Sequence, residues 1–138
     1  MTEELTYSFT REVDVEQLQN LFEQTDWAAG RTTGDIRKML NNTSCCLTVW
    51  RAEKLVGFAR VLTDGVYRGL LDDVVVDGEF RGRDVGKEML NRIVERFGHL
   101  HELHLGCEDD LVPFYEKFGF KVEKHPHMTL KPDKRTTD

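Results

Sequence analysis

The stretch that most restricts the fold is residues 74–90, VVVDGEFRGRDVGKEML. It joins an apolar run, residues 70–76, to a segment in which Val85, Met89, Leu90, Ile93, Val94 and Phe97 recur at steps of four, three and one. The run has the character of a strand, and its three consecutive valines fit burial on both faces. The second segment has the period of an amphipathic helix, closed at Gly98. Residues 100–107 form another expected strand, with Leu103 and Leu105 on one face. A strand, a crossover helix and a second strand place the two strands parallel in one sheet.

The other elements follow from local signals. Residues 5–10 alternate as a first strand. Asp14 can cap a helix carrying Val15, Leu18, Leu21 and Phe22 on one face, and Thr33 opens a shorter one with Ile36, Met39 and Leu40 inward. Residues 45–51 and 55–63 pair through a polar turn, and Asp64-Gly65 marks the next reversal. A short helix over 111–118, with Pro113 in its first turn and Gly119 as its stop, precedes a last pair of strands at 120–124 and 128–130. The expected fold is α/β (α+β): a central mixed, mostly antiparallel sheet of six or seven strands with one parallel pair, flanked by four helices. With 138 residues and no repeat or linker, residues 1–138 are expected to form a single domain, the tail 131–138 frayed.

Charge and cysteine usage narrow the partners. A net charge of −6 disfavours nucleic acid and anionic membranes. No apolar run reaches the ~20 residues of a membrane span. The acidic, polar N-terminus is unlike a secretory signal, and three cysteines, two of them adjacent, make a poor disulfide framework. Cytoplasm is the compartment expected.

Chemistry concentrates where the strand 70–76 turns into the long helix, expected to begin at about Gly82. The first-turn N–H groups of a helix lack internal partners, and with the helix dipole they favour a phosphate. Gly82 and Gly86 let a ligand approach the backbone, and Arg81, Arg83 and Lys87 add positive charge. The alternative is a plain helix start with a basic solvent face. The Walker A spacing and the GxGxxG fingerprint are both absent.

Arg81-Gly82-Arg83-Asp84-Val85-Gly86, preceded by Val74-Val75-Val76 and Phe80, resembles motif A of the GNAT superfamily of acetyltransferases. Residues 112–120, VPFYEKFGF, resemble its motif B, and the separation of the two motifs also fits. Asp84 stands where the motif has its first glycine, and Glu108 where an asparagine is frequent. The resemblance implies an acetyl-CoA-dependent N-acetyltransferase in which the parallel strands splay around the cofactor, with no metal. The pantetheine would pair with the backbone of Val74 and Val76, the diphosphate with the amides from Arg81 to Lys87, and the surrounding contacts would include Val75, Phe114 and Lys117. An amine would attack the thioester directly. Tyr115 stands at the position of the general acid beside the CoA sulfur; the alternative is that it packs on the cofactor.

For the base the candidates are Asp72 and Asp73. Strand alternation sends them to opposite faces, Asp72 with Val74 and Val76, unless a β-bulge exchanges them. Alternatively one caps the turn or pairs with Arg60 or Arg68. The resemblance places the acceptor among Phe22, Trp27, Arg31 and Tyr67, although Trp27 could simply anchor its loop. The stretch TDWAAGRT is similar to one in small bacterial members near the aralkylamine and polyamine acetylators, which implies a small primary amine as partner and permits a homodimer. Two other functions compete: a non-catalytic acyl-CoA-binding or sensing module, and an acetyltransferase of protein lysines or N-termini. His99, His101 and His104 do not share one strand face and do not make a metal site.

Overall fold

In the computed structural model, which describes residues 4–132, the chain divides into two compact units between Gly106 and Cys107. The tail expected over 131–138 lies, from residue 133 onward, outside the described residues. The first unit carries β1 (Thr6–Ser8), α1 (Val15–Phe22), α2 (Thr33–Asn41), β2 (Cys45–Arg51), β3 (Lys54–Thr63), β4 (Arg68–Val76), α3 (Val85–Phe97) and β5 (Glu102–His104). The second carries α4 (Val112–Glu116).

Helix α1 starts where the sequence indicates, because the Asp14 carboxylate accepts the Glu16 N–H at 3.1 Å. For α2 the cap is Thr32, whose hydroxyl accepts the Asp35 N–H, and Thr33 is the first helical residue. The spacing of Leu18, Leu21 and Phe22 puts all three on one side of α1. They pack with Ile36 of α2 and with Trp50, Leu55, Phe58 and Val75 of the sheet. Helix α3 covers the other face through Val85, Met89, Leu90, Ile93 and Phe97, all buried. Gly57 neighbours Phe58 and so points to that opposite face. A Cβ at Gly57 would lie 3.0 Å from Val49 Cγ2 and 3.4 Å from Met89 Sδ, so the missing side chain lets α3 close against the strands.

The sheet order is β1-β2-β3-β4-β5, antiparallel except for β4 and β5, which run parallel as the crossover requires. Among the described residues the expectation of six or seven strands is corrected to five. Residues 120–124 and 128–130 form no strand, and Val122, Met128 and Leu130 are 71%, 93% and 71% exposed. Alternation in so short a run signals a strand only where a neighbouring edge can accept its backbone bonds and cover one face. Two boundaries also move. Strand β5 covers only Glu102–His104 of residues 100–107, and α3 begins at Val85 rather than near Gly82. The cause of the later start is backbone handedness: Gly82 (φ +79°) and Asp84 (φ +64°) are left-handed and cannot belong to a right-handed helix. Among the described residues no helix is long and apolar enough to cross a membrane.

Ile93 is fully buried between α3 and the sheet. Ile93→Ala should therefore lower unfolding stability by about 2–5 kcal/mol, seen as a reduced urea midpoint with an unchanged slope; a loss under about 1 kcal/mol would mean that α3 is not a principal support of the sheet.

Candidate active site

Strand β4 is irregular at its two consecutive aspartates. Phe58 pairs with Val75 and Arg60 with Asp72, so one step of β3 residues faces a longer step of β4. The extra residue is a β-bulge, and Asp73 within it has φ +53°. The bulge overrides simple alternation, and both carboxylates reach one guanidinium. Arg60 donates through Nε to Asp73 Oδ2 at 2.6 Å and through Nη2 to Asp72 Oδ2 at 3.3 Å. The placement of the two on opposite faces is thus corrected. Arg68, the other partner considered, pairs with Glu102 instead.

Asp73 is engaged a second time. Arg31, from the loop between α1 and α2, donates Nη1 to Oδ2 at 3.0 Å and Nη2 to Oδ1 at 3.2 Å. This two-pronged geometry suits a guanidinium and a carboxylate. The Asp73 side chain is only 2% exposed, and a charge so buried is tolerable only when paired. Asp72 is different, with a side chain 46% exposed that pairs with Arg60. The Arg31 guanidinium also lies 4.7 Å from the centre of the Phe22 ring and 5.9 Å from that of Trp27. Phe22 is fully buried and supports Arg31 from beneath, whereas Trp27 is half exposed. Phe22, Trp27, Arg31, Asp72 and Asp73 therefore converge. Tyr67 does not: it precedes β4, about 20 Å along an extended strand from Asp73, and packs edge-on against His101.

The parallel ladder ends at Leu70 and His104, while β4 continues to Val76. The Asp77 N–H bonds to Val56 of β3 at 2.8 Å, so alternation turns the backbone groups of Val74 and Val76 to the other edge. There the Val76 carbonyl accepts Arg81 Nε at 3.2 Å. The turn that follows is tied to α1, since Gln24 donates to Asp77 Oδ2 and accepts the Gly78 N–H. Phe80 fills the base of the turn, with the guanidiniums of Arg51 and Arg83 5.0 and 5.1 Å from its ring centre.

Arg81, Gly82, Arg83, Asp84 and Lys87 are exposed, Gly86 is half-buried, and Val85 sends its side chain into the core. The first intrahelical bond runs from the Glu88 N–H to the Asp84 carbonyl, so the amides of Val85, Gly86 and Lys87 lie ahead of it. Asp84 makes no side-chain cap bond. Its left-handed backbone is the kind a glycine adopts freely and an aspartate tolerates.

In the second unit, Tyr115 of α4 is buried, its ring 5.0 Å from that of Phe114 and 6.0 Å from that of Phe120. Burial, with the nearby Cys107 thiol, pushes its pKa up to about 12. Lys117 is exposed just past the end of α4. Among the described residues no three His, Cys, Asp or Glu side chains gather to hold a metal. Sequence reasoning named Arg60 as a partner but missed the pairing of Arg31 with Asp73, for which a separation of 42 residues leaves no local signal.

Comparison with known proteins finds a family and relatives for the chain. Residues 4–120 match the model of the acetyltransferase (GNAT) family. An uncharacterised N-acetyltransferase, ycf52, of Pyropia yezoensis is 28% identical over 82% of the chain and 68% of the relative. A chloroplastic GCN5-related N-acetyltransferase of Arabidopsis thaliana is 24% identical over 89% of the chain and 56% of its own length. A GNAT-family acetyltransferase of Streptococcus pneumoniae superposes with a TM-score of 0.79 at 17% identity, covering 94% of this chain and 99% of that one, a likeness of fold.

The raised pKa of Tyr115 carries a stability consequence. The folded state holds this proton more tightly than the unfolded chain, so the associated stabilisation is complete below pH 10 and lost as pH rises toward 12. Tyr115→Phe should flatten part of the alkaline fall in urea midpoint between pH 10 and 12; an identical fall in both proteins would place the phenol in water.

Proposed function

Because the chain belongs to the GNAT acetyltransferase family and is an N-acetyltransferase by that membership, we propose that it moves the acetyl group of acetyl-CoA to the primary amine of a small molecule, by direct attack in a ternary complex. One observation carries this reading. The exposed turn at the start of α3 stands just beyond the edge of β4 that β5 leaves at Leu70. A diphosphate on the amides from Arg81 to Lys87 would leave the pantetheine running along Val74 and Val76, toward Asp72 and Asp73. The family match, over residues 4–120, runs through the first unit from residue 4 and into the second, which supports reading residues 1–138 as one transferase domain.

The chemistry needs one C–N bond made and one C–S bond broken, an amine proton accepted and a thiolate protonated. Asp72 is the better base, because its carboxylate is half exposed while both oxygens of Asp73 are held by guanidiniums. Tyr115, protonated across the neutral range, supplies the acid. The resemblance of residues 112–120 to motif B is what supports assigning Phe114 and Lys117 to the cofactor as well. Trp27 and Arg31 border the acceptor, with aralkylamines and polyamines the first classes to assay. Cytoplasm remains the compartment proposed, although the Arabidopsis relative is chloroplastic by name.

Incubation with acetyl-CoA and a panel of amines should release free thiol with at least one small primary amine. Tight CoA binding with no turnover on any amine would instead support an acyl-CoA-binding module. Turnover on peptides alone would point to a protein acetyltransferase. Tyr115→Phe should cut kcat by about 100-fold or more with CoA affinity nearly intact; an unchanged kcat removes Tyr115 from the mechanism. Asp84→Gly should tighten CoA binding several-fold by removing a negative charge beside the diphosphate, and weaker binding would show that the carboxylate helps hold the turn.

A further inference from the structure

We infer that Asp73 is a positioning residue that couples the acceptor loop to the base: its carboxylate holds Arg31 of the α1–α2 loop and Arg60 of β3 together, and Arg60 holds Asp72. The inference deepens the acetyltransferase reading and rests on it. Three features carry it. The pairing is closed, because both Asp73 oxygens accept from Arg31 while Oδ2 also accepts from Arg60 Nε at 2.6 Å. The remaining reach of Arg60 goes to Asp72. The aspartate is set in a left-handed backbone within the bulge, a conformation that persists when its surroundings fix it.

The loop itself depends on this node. Arg31 is packed over Phe22 and Trp27, and its carbonyl accepts Gln19 Nε2 at 3.1 Å. Without Asp73, the Arg31 guanidinium would lose the carboxylate that accepts from both its Nη atoms, and Trp27 would lose the cation that lies across its ring. The wall of the acceptor pocket and the carboxylate that takes the amine proton would then move independently. A residue with this task controls how well the amine is held more than how fast the bond forms once it is held.

Asp73→Asn and Arg31→Met test the coupling, because asparagine tolerates the left-handed backbone and methionine keeps an unbranched apolar stem while removing the guanidinium. Each should raise the amine KM about tenfold, a change of about 1.4 kcal/mol, with the acetyl-CoA KM unchanged. The double variant should be no worse than the weaker single, as expected of two ends of one contact. Arg31→Lys should restore part of the amine KM. Asp72→Asn should lower kcat about 100-fold. A second readout needs no turnover: of the two tryptophans, Trp50 is buried and Trp27 half exposed, so acrylamide quenching reports Trp27. Quenching should rise in Asp73→Asn and Arg31→Met and stay unchanged in Asp72→Asn.

Asp73→Asn that loses kcat about 100-fold at an unchanged amine KM would make Asp73 the base and overturn the proposal. Multiplying effects in the double variant, or unaltered quenching in Arg31→Met, would also overturn it. Should Asp73→Asn fail to fold, Arg31→Met retains the contact of Asp73 with Arg60 and decides alone. Should the wild-type protein acetylate no amine, the acetyltransferase reading fails, while quenching still shows whether Asp73 holds the loop.

Discussion

Beyond Leu70, strand β4 is bonded to β3 along one edge, and its pairing with β5 has ended. A strand in that position must be held by something other than a second ladder. Here the faces hold it. Val75 packs into the cluster beneath α1 and α2, and α3 closes over the opposite side at Gly57 and Met89. The open edge can therefore exist without the strand being loose, and the groups that could meet a ligand lie along it and at its end. The bulge at Asp73, the turn after Val76 and the start of α3 take their positions from this one strand.

Two aspartates in that region, Asp73 and Asp84, adopt left-handed backbone, at an intrinsic cost of about 1 kcal/mol or more each. The two are set in different surroundings. Asp73 is buried and fixed through two guanidiniums. Asp84 is exposed, makes no cap bond, and uses its conformation to aim the chain into α3. Ala52, the remaining described non-glycine residue with positive φ, sits in the β2–β3 hairpin, where such a backbone closes a short turn. Strain at Asp73 and Asp84 thus gathers where a cofactor and an acceptor are expected to meet.

Much of the fold could be read from the sequence because its signals are local. The stripe Val85, Met89, Leu90, Ile93 and Phe97 gave the long helix, the valine run gave the doubly covered strand, and together they implied a parallel pair. The failures are non-local. Residues 120–124 and 128–130 alternate like strands, but alternation carries no information about whether an edge will receive them. The start of α3 was misplaced because glycine is compatible with a helix interior and with a left-handed turn alike. In the site, the two aspartates were found but not their direction, since a single inserted residue reverses every inference from alternation. The Arg31 contact with Asp73 depends on how a loop after α1 folds back on β4, which no periodicity encodes.

The central claim is that the turn from Arg81 to Lys87 grips the diphosphate of coenzyme A. Calorimetric titration of coenzyme A into the full chain tests it most directly, with a paired titration at raised salt. One saturable site whose affinity weakens as salt increases is the predicted result, because the contact is between an anion and partial and full positive charges. No measurable heat at millimolar coenzyme A, or binding indifferent to salt, would contradict it.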